Sequence, residues 1–178
     1  MRVEEMVAVR AAAPQAMRAL LTVARIPAWL APDVRVATRT SAPVLGPGDR
    51  FTLTIVGGLE FDYLVEAVSD REVVFSFRSR LWCGRERWSF VPDGAETVVR
   101  RAYEVDDSPP LVSLAWRAGG WALVSAHYKV ELPRFRVEVE REPGPRAEIE
   151  PAQSAGAPFA PEPPSAPPPS SPPPREPP

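Results

Sequence analysis

The chain has 178 residues, and 15 of its 24 prolines fall in the last 36, from Pro143 onward. Before that stretch 19 Lys/Arg balance 19 Asp/Glu with no basic stripe, which argues against nucleic acid as a partner. The single cysteine, Cys83, permits neither an internal disulfide nor a thiolate metal site, and no run approaches the ~18–20 apolar residues of a membrane span.

The proline-rich stretch, with scattered Ser, Ala and Glu, has too little apolar surface to offset its ordering entropy. Residues 143–178 are therefore expected to be a disordered tail of polyproline II character. Pro161 and Pro164, and again Pro164 and Pro167, stand at a Pro-x-x-Pro spacing. Such segments dock in aromatic grooves, so the tail is read either as a protein-partner segment or as a solubilising extension. Residues 1–142 then form one domain with its own core. No basic-then-apolar leader opens the sequence, and a cytoplasmic location is expected.

Val3 to Arg10 reads as a first strand. Ala13-Pro14 opens a helix whose Met17, Leu20, Leu21 and Ala24 fall on one face at helical spacing. The proline-bounded Ile26 to Pro32 predicts a separate short helical turn, and Val34 to Thr40 a second strand ended by the Pro43–Gly48 turn. Five more strands follow, Phe51–Val56, Leu59–Val68, Val73–Leu81, Arg85–Val91 and Thr97–Val105. Their connections are short and rich in Gly, Pro and Asp, which implies an antiparallel meander.

In the fourth strand Leu59, Phe61, Tyr63, Val65 and Ala67 share a face, and in the fifth Val73, Phe75, Phe77 and Leu81 do. Odd positions thus face the core in both. The third strand resists this parity. A two-residue Gly57-Gly58 turn aligns Thr52 and Thr54 with Phe61 and Tyr63, whereas hydrophobicity selects Phe51, Leu53 and Ile55; a glycine bulge would reconcile the two.

The last element is a long amphipathic helix from Ser108, a good N-cap, to about Glu140. Leu111, Leu114, Ala118, Trp121, Ser125, Tyr128, Leu132, Phe135 and Val139 form one stripe at alternating steps of three and four. Gly119-Gly120 and Pro133 are its weak points, with a kink expected near Pro133.

These residues support a family resemblance. Ala13-Pro14 and Trp29-Leu30-Ala31-Pro32 flank the first helix, and Pro47-Gly48-Asp49-Arg50-Phe51 opens the third strand. Trp88-Ser89-Phe90-Val91-Pro92 lies in the sixth strand, and Leu132-Pro133-Arg134-Phe135 near the end of the last helix. In this order they resemble the START-like (SRPBCC) superfamily, nearest to its bacterial polyketide cyclase/dehydrase group. The resemblance covers residues 1–142. It departs at Gly94-Ala95-Glu96-Thr97, where such proteins often have Gly-Thr directly. It implies an α+β helix-grip fold, a seven-stranded curved antiparallel sheet wrapped around a long C-terminal helix with two short N-terminal helices. It also implies binding of lipids, polyketides, sterols or hormones, with a minority of cyclases and some members acting through protein partners.

For chemistry, the sixth and seventh strands stand out. Folding their hairpin about Pro92–Ala95 pairs Phe90 with Thr97, Trp88 with Val99 and Glu86 with Arg101. That places an acid opposite a base on the inward face, able to orient a ligand carbonyl or carboxylate, to transfer a proton, or only to form a cross-strand ion pair. Glu86 and Arg101 are accordingly the candidate catalytic residues. Trp29, Phe61, Tyr63, Phe75, Phe77, Trp88, Tyr103, Trp121 and Tyr128 join them as candidate ligand-binding residues, against the alternative of ordinary core packing. The lone histidine, His127, steps off the helical stripe and is expected to face solvent; no triad, metal cluster or phosphate loop is spaced correctly, so no cofactor is expected.

The reading is a container for a hydrophobic small molecule such as a lipid, polyketide or isoprenoid, with no membrane span. A polyketide cyclase/aromatase and a protein-interaction module are the alternatives.

Overall fold

A computed structural model describes residues 2–55, 57–107 and 109–141, with only the backbone described at 107, 111, 112, 115, 117 and 120. The expected tail, 143–178, and the expected cap at Ser108 lie outside the described residues. Seven strands are present: β1 Arg2–Val9, β2 Val34–Thr38, β3 Arg50–Ile55, β4 Leu59–Val68, β5 Glu72–Arg78, β6 Cys83–Asp93 and β7 Glu96–Asp107. Between β1 and β2 run α1 (Ala13–Leu21), a 3₁₀ turn at Val23–Arg25 and α2 (Ile26–Trp29). The last helical region comprises α3 (Pro110–Ala115), a π-helical turn at Trp116–Gly120 and α4 (Trp121–Arg141).

The sheet is antiparallel throughout, in the order β1-β7-β6-β5-β4-β3-β2. Its meander follows from the short turns, while α1 and α2 carry the chain from one edge strand, β1, to the other, β2. α4 packs against β1, α1 and α2, closing the inner face into an α+β helix-grip arrangement. Two polar ties hold the far end of α4. Arg25 Nε donates to Glu138 Oε1 at 2.9 Å, and the Arg10 backbone N–H donates to Glu140 Oε1 at 2.9 Å. That second bond, first among several contributions, lowers the Glu140 carboxyl pKa below its ordinary value. Among the described residues no helix is long and apolar enough to cross a membrane.

The inner faces follow the expected parity with three informative departures. Ile55 pairs with Leu59, so three residues rather than two make the β3–β4 connection. An odd-length loop puts Phe51 opposite Tyr63 and Leu53 opposite Phe61, so hydrophobicity prevails without a bulge. A bulge does occur in β4, between Val65 and Ala67, and it turns Ala67 out to solvent. β5 ends at Arg78 rather than at Leu81, which is exposed. The Ser79–Trp82 turn takes over there, with Ser79 Oγ accepting from the N–H groups of Leu81 and Trp82 at 3.2 and 3.1 Å.

The β6–β7 hairpin is longer than expected. Its strands pair up to Asp93 and Glu96, with Gly94 at φ 59° in a two-residue turn, so Phe90 faces Val99, Trp88 faces Arg101 and Glu86 faces Tyr103. The register is displaced by two residues from the expected one. A shift of two leaves every side chain on its original face, so the inward set survives. Deeper in the sheet Gly84 is required, because a Cβ there would lie 1.9 Å from the Glu104 carbonyl oxygen.

The long helix is interrupted earlier than expected. Gly119 departs from helical backbone at φ 126°, ψ 5°, a conformation that favours glycine, while α4 runs through Pro133. The predicted stripe therefore holds only from Ser125 onward. Ser125, Tyr128, Leu132, Phe135 and Val139 are buried, whereas Leu114, Ala118 and Trp121 are exposed.

Candidate functional site

Alternation along β6 turns Gly84, Glu86, Trp88 and Phe90 inward, and along β7 it turns in Thr97, Val99, Arg101, Tyr103 and Val105. An acid and a base thus enter an otherwise apolar interior from adjacent strands. Glu86 is 3 % exposed and Arg101 4 %. Although not directly opposite, they meet on the diagonal, with Arg101 Nε donating to Glu86 Oε1 at 2.8 Å. Trp88 Nε1 donates to the same oxygen at 2.6 Å, and the Tyr63 hydroxyl donates to Glu86 Oε2 at 2.9 Å.

A third charged group completes the cluster. Glu131 on α4 is equally buried; its Oε2 accepts from Arg101 Nη1, and its Oε1 accepts from the Ala31 backbone N–H at 3.1 Å. The guanidinium carbon lies 3.9 Å from the Tyr128 ring centroid and 4.6 Å from that of Trp88. Burial opposes the Arg101 charge, but the Glu86 and Glu131 carboxylates outweigh it and hold its pKa above the ordinary guanidinium value. Both carboxylates are bonded at both oxygens, as buried charges must be.

This cluster separates two cavities. The larger, of about 80 Å³, is partly open and lies under the first half of α4, against Leu53, Phe61, Tyr63, Tyr103 and Tyr128. The smaller, of about 20 Å³, lies towards α1 and α2 against Trp29, Phe51, Phe75 and Trp88. Glu86, Arg101, Tyr63 and Leu53 form the wall between them. The smaller cavity has room for roughly one water molecule, and the buried Trp29 Nε1 has no protein partner.

Of the sequence-predicted site residues, Phe61, Tyr63, Glu86, Arg101, Tyr103 and Tyr128 border the larger cavity. Trp29, Phe75 and Trp88 border the smaller. Phe77 is buried against Tyr103, ring centroids 4.4 Å apart, and reaches neither. Trp121 is 52 % exposed and borders neither, because the break at Gly119 takes it off the inward stripe. His127 does not point simply to solvent. Its ring borders the larger cavity, with Nε2 3.2 Å from Asp33 Oδ2 and Nδ1 3.0 Å from the Leu123 carbonyl oxygen.

Glu131 and Trp82 were missed. Glu131 had a readable signal, since it stands three residues after Tyr128 and four before Phe135 on the buried face of α4. Trp82 stands between the expected fifth and sixth strands; the Ser79 turn directs it inward, where its Nε1 donates to the Tyr103 hydroxyl at 2.7 Å. Burial, foremost, raises the pKa of Tyr63, Tyr103 and Tyr128 above the ordinary phenol value, and the Glu86 charge adds to it. Among the described residues no group of three or more His, Cys, Asp and Glu could hold a metal ion.

Solved structures resemble this fold at low sequence identity. TTHA0849 from Thermus thermophilus aligns with TM-score 0.66 and 14 % identity over 78 % of this chain and 97 % of its own. CV1439 from Chromobacterium violaceum aligns with TM-score 0.63 and 11 % identity over 79 % and 98 %. DynU16, a protein of the dynemicin biosynthetic locus, aligns with TM-score 0.59 and 18 % identity over 78 % of this chain. This chain spans about half of DynU16, 47 % of its length. No family model matches the chain, and no curated protein matches it by sequence. The likeness defines a class by fold, the α+β helix-grip type.

Proposed function

We propose that the domain belongs to the START-like polyketide cyclase/dehydrase group and binds a hydrophobic small molecule noncovalently, such as a lipid, polyketide or isoprenoid, between the sheet and α4. One observation carries this reading: a partly open cavity bordered by aromatic and aliphatic side chains has the Glu86–Arg101–Glu131 cluster as its floor. Burial of the ligand body supplies the affinity at about 25 cal/mol per Å² removed from water. The place of DynU16 in a biosynthetic locus is in keeping with a small-molecule ligand.

The cavity of about 80 Å³ is smaller than the ~150 Å³ that accommodates benzene in an apolar protein interior. Even a one-ring ligand therefore enters by parting the half-buried Val34, Leu53, Ile55 and Leu59 from Leu123 and Val124 of α4. The start of α4 lies next to the Gly119 break, which suits it to that movement. Catalysis by Glu86 and Arg101 is the less favoured reading, because each is already engaged by the other and by further partners.

The test is native mass spectrometry of the full chain, followed by solvent extraction and by titration with apolar probes. A released apolar compound or saturable probe binding, weakened by Phe61→Ala, is the expected result. No released compound and no saturable binding would remove the proposal.

A further inference from the structure

Tyr128 is 2 % exposed, borders the larger cavity, and its hydroxyl has no hydrogen-bond partner in the protein. A buried hydroxyl without a partner is costly, and such groups are rare enough in folded proteins to require a reason. No described neighbour meets it. Glu86 and Glu131 already accept at both oxygens, and Arg101 donates Nε and Nη1 to those carboxylates. Tyr103 at the same cavity accepts from Trp82 Nε1, which leaves its own O–H to donate. At this cavity end the Tyr103 and Tyr128 O–H groups donate to no described residue. Burial keeps Tyr128 protonated, so its O–H is available to donate.

Charge narrows the partner further. Glu86 and Glu131 against Arg101 leave the cluster with a formal charge of −1 beside the cavity. A carboxylate ligand would add a second uncompensated negative charge in a poorly solvated site, facing an arginine already committed to two carboxylates. An ammonium ligand would be drawn by that charge but would have to leave water for a cavity bordered mainly by apolar and aromatic side chains, beside the Arg101 guanidinium.

We propose that the cavity selects an uncharged apolar ligand carrying a carbonyl-type oxygen, which accepts a hydrogen bond from the Tyr128 hydroxyl, and that it rejects apolar carboxylates. This rests on the reading of the cavity as a hydrophobic-ligand site.

The experiment titrates the full chain at neutral pH with four matched probes, butylbenzene, butyrophenone, 4-propylbenzoate and 4-propylbenzylamine, followed by calorimetry or ligand NMR. The ketone is expected to bind about tenfold tighter than the hydrocarbon, the increment of one well-placed hydrogen bond, and the benzoate at least as much weaker than the ketone. Tyr128→Phe should abolish the ketone's advantage over butylbenzene. Equal ketone and hydrocarbon affinities in the unmodified protein, or tighter binding of the benzoate or the amine, would overturn the proposal while hydrophobic binding stands. Undiminished ketone preference in a folded Tyr128→Phe protein would overturn it equally. Absence of binding by all four would remove the hydrophobic-ligand reading as well. If Tyr128→Phe does not fold, the probe ratios of the unmodified protein decide alone.

Discussion

The interior has two ends that differ in kind. At one, Val9, Trp88, Phe90, Val99, Phe135 and Val139 are fully buried, and Trp88 and Phe135 pack with ring centroids 5.3 Å apart. At the other, Val34, Leu53, Ile55 and Leu59 remain half-buried around the larger cavity, and a tyrosine hydroxyl lacks a partner. The Glu86–Arg101–Glu131 cluster stands between them. The difference teaches that one apolar interior can be divided by a saturated polar wall into a part that holds the fold and a part left able to open.

The wall itself is the first place to break this comparison. Arg101→Met leaves two buried carboxylates without their cation and is expected to cost about 3–5 kcal/mol in urea unfolding. Adding Glu86→Gln and Glu131→Gln should recover much of that loss, and a single-variant cost below about 1 kcal/mol would show that the wall is not structural. Next, Phe135→Ala at the closed end should cost about 3–5 kcal/mol, against about 1 kcal/mol for half-buried Leu59→Ala. Probe affinity should respond in the opposite order, weakened by Leu59→Ala and not by Phe135→Ala in the folded protein; equal effects of the two would merge the ends.

The phenols offer a sharper measurement. All three tyrosines have pKa values raised above 10.0 in the folded state, so the unfolded chain loses their protons first as pH rises. Their contribution is fully present below pH ~10 and is lost as pH climbs from there towards the folded values. The slope should reach about 1.4 kcal/mol per pH unit for each tyrosine, seen in denaturant midpoints across pH 9–11. Tyr128→Phe should remove one tyrosine's share, and a flat profile would mean that the cavity end is wet enough to ionise freely. Smallest of all, Gly119→Ala should cost about 1–2 kcal/mol through its positive φ. No loss would mean that the helix break does not depend on that backbone conformation.

Much of this fold is legible in the sequence. The alternation in 59–65 and 73–77 placed Phe61, Tyr63, Phe75 and Phe77 inward, and short turns specified the meander. Glu86 and Arg101 were recognised as an inward acid and base although their register was off by two residues, because displacement by two preserves the face. The site was legible only in part. Trp121 follows a helical period that one glycine interrupts, and nothing local to Glu131 shows that Arg101 and the Ala31 N–H reach it from β7 and from the segment after α2. His127 was misjudged for a similar reason, its Asp33 neighbour being 94 positions away.

Alone, the sequence determined most of the strands, the inward faces of β4 to β7 in their main parts and the antiparallel meander, since period-two alternation and turn chemistry are local properties. Only the tertiary structure decided where the helix breaks, that a second carboxylate joins the acid–base pair, and how much room remains beside Tyr128. Those outcomes depend on side chains brought together from β4, β6, β7 and α4, and on the volume left after packing, neither of which is a property of any one segment.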